Sequence, residues 1–82
     1  MKFKAEIDIM PLKELLDPQG KAVMLGLKNL DVQSNNVRVG KHISIEIEAD
    51  SKAEASEKIQ VACQKLLANP IMEGFSFEVN EA

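Results

Sequence analysis

The chain opens on a strict alternation: Phe3, Ala5, Ile7 and Ile9 share one parity, and Lys2, Lys4, Glu6 and Asp8 share the other. A period of two with one apolar side predicts a half-buried strand. Pro11 ends it, because proline has no amide hydrogen to give to a ladder. The period then lengthens. Val23, Leu27 and Leu30 recur at i, i+4 and i+7, flanked by Ala22 and Met24, which predicts a helix from Pro18 to about Leu30. Asp17 can accept the orphan amide hydrogens at its start, and Pro18 fits the first turn, where a missing donor costs nothing. Gly20 and Gly26 weaken the helix.

Ser34, Asn35 and Asn36 form a turn signal, and the run from Val37 to Glu48 carries strands two and three. Ser51 with Glu54 three residues on fits a capping box. The helix it opens places Ala55, Ile59, Ala62, Cys63 and Leu66 on one face and stops at Asn69 and Pro70. Phe75, Phe77 and Val79 then alternate with Ser76, Glu78 and Asn80 as a last strand. The predicted order is β-α-β-β-α-β in a single domain over residues 1–82. That is an α+β, ferredoxin-like fold, with a four-stranded antiparallel sheet and two helices on one face.

Register decides how strands two and three are joined. A two-residue loop at Gly40 and Lys41 would turn Ile43, Ile45 and Ile47 away from Val37 and Val39 and split the core. A three-residue loop from Gly40 to His42 restores the parity, although glycine is usually wanted last in such a loop and here comes first. Alternatively the chain runs straight through Gly40, and two copies exchange β-α-β halves. Loop-length frequencies favour the hairpin. Either arrangement points to a dimer, since 82 residues are expected to bury only about 60–65 % of their unfolded surface and a second copy enlarges a thin core.

Charge and composition narrow the function classes. Thirteen acidic residues against ten basic ones give a net charge of -3, the wrong sign for a duplex nucleic-acid binder, whose affinity comes from neutralising phosphates. Three phenylalanines as the only aromatics make a poor stacking platform. No apolar run approaches the ~20 residues that span a bilayer. One cysteine, Cys63, cannot form an internal disulfide, and no basic-then-apolar leader opens the chain, so a cytoplasmic protein without nucleic-acid or membrane partners is expected.

Candidate chemistry is sparse. His42, the single imidazole, has the polar parity of its strand and no second histidine or nearby cysteine, so an exposed histidine is expected rather than a metal ligand or general base. Cys63 lies on the apolar stripe of its helix, where a thiol acts as a small apolar group. Arg38, Gly40 and Lys41 make the one compact basic spot, where an anion could approach the glycine backbone. Yet the helix opening at Asp17, Pro18, Gln19, Gly20 and Lys21 carries an acid where a phosphate would sit. Glu6, Asp8, Glu46, Glu48 and Glu78 on the outer sheet face outnumber Lys2, Lys4 and Arg38, and suit solubility or a partner surface. No catalytic residue, cofactor-binding residue or metal site is assigned.

Three stretches are more specific than any of these: Leu16 to Val23 (Leu-Asp-Pro-Gln-Gly-Lys-Ala-Val), Val37 to Lys41 (Val-Arg-Val-Gly-Lys), and Cys63 to Pro70 (Cys-Gln-Lys-Leu-Leu-Ala-Asn-Pro). Their order and spacing resemble the PurS family, the small subunits of phosphoribosylformylglycinamidine synthase, over nearly the whole chain from Lys2 to Glu81. The resemblance implies a non-catalytic subunit in de novo purine biosynthesis that oligomerises. It would bridge a large synthetase subunit and a glutaminase subunit and support ammonia transfer as formylglycinamide ribonucleotide becomes the amidine. ATP, magnesium and glutamine are then used by the complex, and no cofactor is bound by this chain. Asp17, Pro18 and Gly20 match the family's helix-opening motif and are assigned a structural task. Arg38, Gly40 and Lys41 match its central motif and are assigned to a partner interface. Where the family often has two acids before an aromatic, this chain has Glu73, Gly74 and Phe75. The alternatives are a stand-alone dimeric module that binds a small metabolite and, third, a small acyl-phosphate hydrolase.

Overall fold

The computed structural model describes residues 1–13 and 16–82. Strand β1 (Lys2–Pro11) is followed by helix α1 (Pro18–Asn29), strand β2 (Lys41–Glu48), helix α2 (Lys52–Ala62), a π-helical segment (Cys63–Leu67) and strand β3 (Glu73–Glu81). The sheet is antiparallel in the order β2-β1-β3. Its register places Ala5 between Ile45 and Val79, and Ile7 between Ile43 and Phe77, so one face is apolar across all three strands. The central strand is the best covered. Phe3, Ala5, Ile7 and Ile9 are buried, whereas Ile43, Ile45 and Ile47 on the β2 edge are only half-buried.

Helix α2 lies on the apolar face and sends Ala55 and Ile59 into the same core, joined by Cys63 at the start of the π-helical segment. The Ser51 hydroxyl accepts from the Glu54 amide at 3.2 Å. The Glu54 carboxylate reaches back to the amide of Asp50 at 3.1 Å, one residue earlier than the return bond of a capping box. After Ala62 the helix widens, and the amide of Ala68 donates to the carbonyl of Cys63, five residues back, at 3.0 Å. The wider turn changes which side chain meets the core. Leu67 packs against it and Leu66 is 81 % exposed, which corrects the expectation for Leu66.

The sheet has three strands among the described residues, not the expected four, and the Gly40–His42 hairpin does not form. Two local interactions explain the difference. The Val39 amide donates to the Asp17 carboxylate instead of a neighbouring strand. Gly40 does not take the left-handed conformation a bulged hairpin asks of its glycine, and it lies so close to β1 that an added Cβ would stand 2.3 Å from the Ile9 carbonyl oxygen. The backbone therefore runs on past β1 without folding back.

The expectation of two helices on one sheet face is corrected as well. Among the described residues none of α1 joins the buried core, and within the helix Gly20 alone is buried. The molecule is accordingly long, 50 × 26 × 14 Å with a radius of gyration of 16.1 Å, against about 12 Å for a compact domain of this length. The far end of α1 closes with the amides of Asp31 and Val32 donating to the carbonyls of Lys28 and Leu27. This is a Schellman turn in which Asp31, at φ 62°, occupies the position that usually falls to glycine.

Candidate functional site

Two of the sequence motifs meet where α1 leaves the sheet. Asp17, with only 9 % of its surface exposed, caps α1 by accepting from the Gly20 amide at 3.0 Å. Its second oxygen accepts from the Val39 amide at 2.8 Å, so one carboxylate ties residues 22 positions apart. Those two amides, with Arg38 nearby, hold the Asp17 carboxyl below the usual aspartate range. Pro18 takes the first helical position. Gly20 allows the close approach: a Cβ there would lie 2.1 Å from the Val37 carbonyl oxygen.

The central motif is folded into the same junction. Arg38 donates through Nη2 to the Leu12 carbonyl at 2.5 Å, and Gly40 packs on Ile9 and the sulfur of Met10. Lys41 shares the apolar parity at the end of the sheet and places its ammonium 3.9 Å from Glu73. Sequence reasoning missed Glu73 as part of this junction. Its other oxygen accepts from the Asn69 amide at 2.8 Å, and the Asn69 side chain accepts from Ile71 at 3.0 Å, so it braces the turn that leads into β3. The available signal was Glu73 itself, the one acid between Ile71 and Phe75. At Gly74, beside Leu12, a Cβ would make only ordinary contact.

Beside the junction is an open cleft of about 480 Å³ with Pro11, Leu16, Pro18, Val39 and Met72 among its lining residues. Cys63 is buried, and burial pushes its thiol up from the ordinary range, away from the reactive thiolate. His42 stands on the opposite, polar sheet face, between Glu6 and Asp8. Among the described residues no group of three or more His, Cys, Asp or Glu is arranged to hold a metal ion, and no helix is long and apolar enough to cross a membrane. The junction can position backbone and present a rim to another protein.

The sequence model of PurS, phosphoribosylformylglycinamidine (FGAM) synthase, matches residues 4–81. The chain belongs to the PurS family. A curated relative, the phosphoribosylformylglycinamidine synthase subunit PurS of Synechocystis sp., is 41 % identical over 66 residues, 79 % of this chain and 66 % of that protein. PurS of Thermus thermophilus superposes with a TM-score of 0.88 at 41 % identity, covering 100 % of this chain and 99 % of that one. A chain of the PurLQS structure from Thermotoga maritima superposes with a TM-score of 0.89 at 31 % identity, covering 98 % and 99 %. The PurS match spans every described element of the junction, from Leu12 and Asp17 to Lys41 and Glu73.

Proposed function

We propose that this chain is the small, non-catalytic subunit of a glutamine- and ATP-dependent FGAM synthase in the cytoplasm, bridging the synthetase and glutaminase subunits and supporting ammonia transfer between them. The observation that carries this reading is the full-length likeness to a chain of the Thermotoga maritima PurLQS structure. The chemistry of the chain agrees with it. The only thiol is buried, and Arg38 and Lys41 are engaged within the fold. In this reading ATP, magnesium and glutamine serve the other subunits, and the chain itself binds none of them.

The same reading makes the chain a homo-oligomer. Leu25, Leu30 and Val32 are exposed on and beyond α1, while the Ile43, Ile45 and Ile47 edge of the apolar sheet face is only partly covered. A second copy that lays its α1 over that edge covers both and supplies the missing helix layer. Gly40, Lys41 and the cleft rim then form the surface offered to the larger subunits. Co-purification tests the assignment: the chain is expected to be retained with both synthetase and glutaminase, with Lys41→Glu weakening retention while the fold persists. Failure of the wild-type chain to associate with either would overturn it.

A further inference from the structure

The polar face of the sheet carries an arrangement that the assembly role does not use. In the β1–β2 register Asp8 stands opposite His42 and Glu6 opposite Ser44. His42 Nδ1 lies 2.7 Å from Asp8 Oδ1, and its Nε2 lies 2.5 Å from Glu6 Oε2. Ionised carboxylates only accept hydrogen bonds, and a neutral imidazole has one N–H to give. Both contacts can be hydrogen bonds at once only when the ring carries two protons. We propose that His42, Asp8 and Glu6 form a pH-operated latch between β1 and β2, closed by the imidazolium, that holds the root of β2 where the chain departs for residues 37–40.

The surroundings favour the protonated ring. From β1, Glu6 and Asp8 face it directly, while the Lys4 ammonium, 3.4 Å from Glu6 Oε1, supplies an opposing positive charge. On β2 itself the Ser44 hydroxyl donates to Glu6 Oε1 at 2.9 Å and fixes that carboxylate, and Glu46 pairs in register with Lys4. From β3, Glu78 stands opposite Glu6 and Ser76 opposite Asp8, lining a shallow hollow of about 410 Å³ with the ring. The hydrogen bonds to Asp8 and then Glu6 raise the His42 titration above its ordinary value, and His42, followed by Ser44, lowers that of Glu6.

The position gives the latch its effect. Lys41, one residue before His42, is the first residue of β2, and Gly40 lies outside the ladder. A group whose titration is raised by folding contributes fully below its unfolded value and loses that contribution as pH rises through the folded one. His42 and Asp8 are exposed and Glu6 is partly exposed, so the loss is local, a fraying of the β2 root and not global unfolding.

Proton NMR of the His42 ring in the intact chain tests this. The midpoint is expected above the ordinary 6.5, with both ring nitrogens protonated below it. Amide protection at residues 41–44, corrected for intrinsic exchange, should fall as pH passes through that midpoint. In Glu6→Gln with Asp8→Asn the midpoint should return to about 6.5 and the protection step should vanish, as it should in His42→Gln. A wild-type midpoint at or below 6.5, a midpoint unmoved by removing both carboxylates, or a step that survives in His42→Gln would each overturn the latch.

Discussion

The sheet with α2 and the arm formed by α1 with residues 30–39 have similar proportions of apolar residues, yet only the first buries them. Phe3, Ile7, Ile9 and Ile59 are at most 2 % exposed, whereas Leu30 is 74 % and Leu25 66 % exposed. The sheet is held by side-chain packing and a continuous ladder. The arm is held at its root by hydrogen bonds from Asp17 to Gly20 and Val39, and by Arg38 on Leu12. Apolar periodicity alone thus says that a face will be covered, not that the same chain covers it.

The strongest way to break the contrast is inside the core. Ile7→Ala removes a fully buried side chain from the central strand and is expected to cost about 2–5 kcal/mol, read by urea unfolding as a lower midpoint for the entire sheet. Leu25→Ser with Leu30→Ser should leave that midpoint nearly unchanged in a dilute sample but shift the sedimenting mass toward a monomer; a large loss of stability without any mass change would contradict the division.

The root of the arm separates the two regions further. Gly20→Ala forces a Cβ against the Val37 carbonyl, 2.1 Å away before any adjustment, and should strip amide protection from residues 18–39 while that of β1 persists. Acid should do the same more gently. Folding lowers the Asp17 titration, so its stabilisation is present above the unfolded value near 3.8 and is lost as pH falls through the folded value. Protection of the Gly20 and Val39 amides should therefore fade below about pH 3.8, and Asp17→Asn should abolish that pH step.

Most elements were legible because each is set by local chemistry. The β1 alternation, the Asp17 cap, the Ser51 start of α2 and the parity of β3 all appear in the structure. The junction was half legible. Motif positions marked Asp17, Gly20, Arg38 and Gly40, but nothing in the sequence order said that Asp17 would bond the Val39 amide, and that bond removes the fourth strand. Leu66 misled for a related reason: one residue of extra winding at Cys63–Leu67 moves the apolar stripe to Leu67, and helical periodicity assumes that no such step occurs. The latch needed the register, since Glu6, Asp8 and His42 share only a parity until β1 and β2 are aligned.

The smallest effect lies at the far end of the arm. Asp31 adopts φ 62° where glycine carries no Cβ penalty. Asp31→Gly should stabilise α1 by about 0.5–1 kcal/mol, measured as increased protection of the last turn of α1 and no change in β1.

The central claim, that this chain serves an amidine-forming complex without performing its chemistry, is tested most directly by reconstituting glutamine-dependent FGAM synthesis from the synthetase and glutaminase with and without it. The account predicts that omission lowers the glutamine-dependent rate, while the chain alone turns over no substrate. A rate unchanged by omission would contradict it.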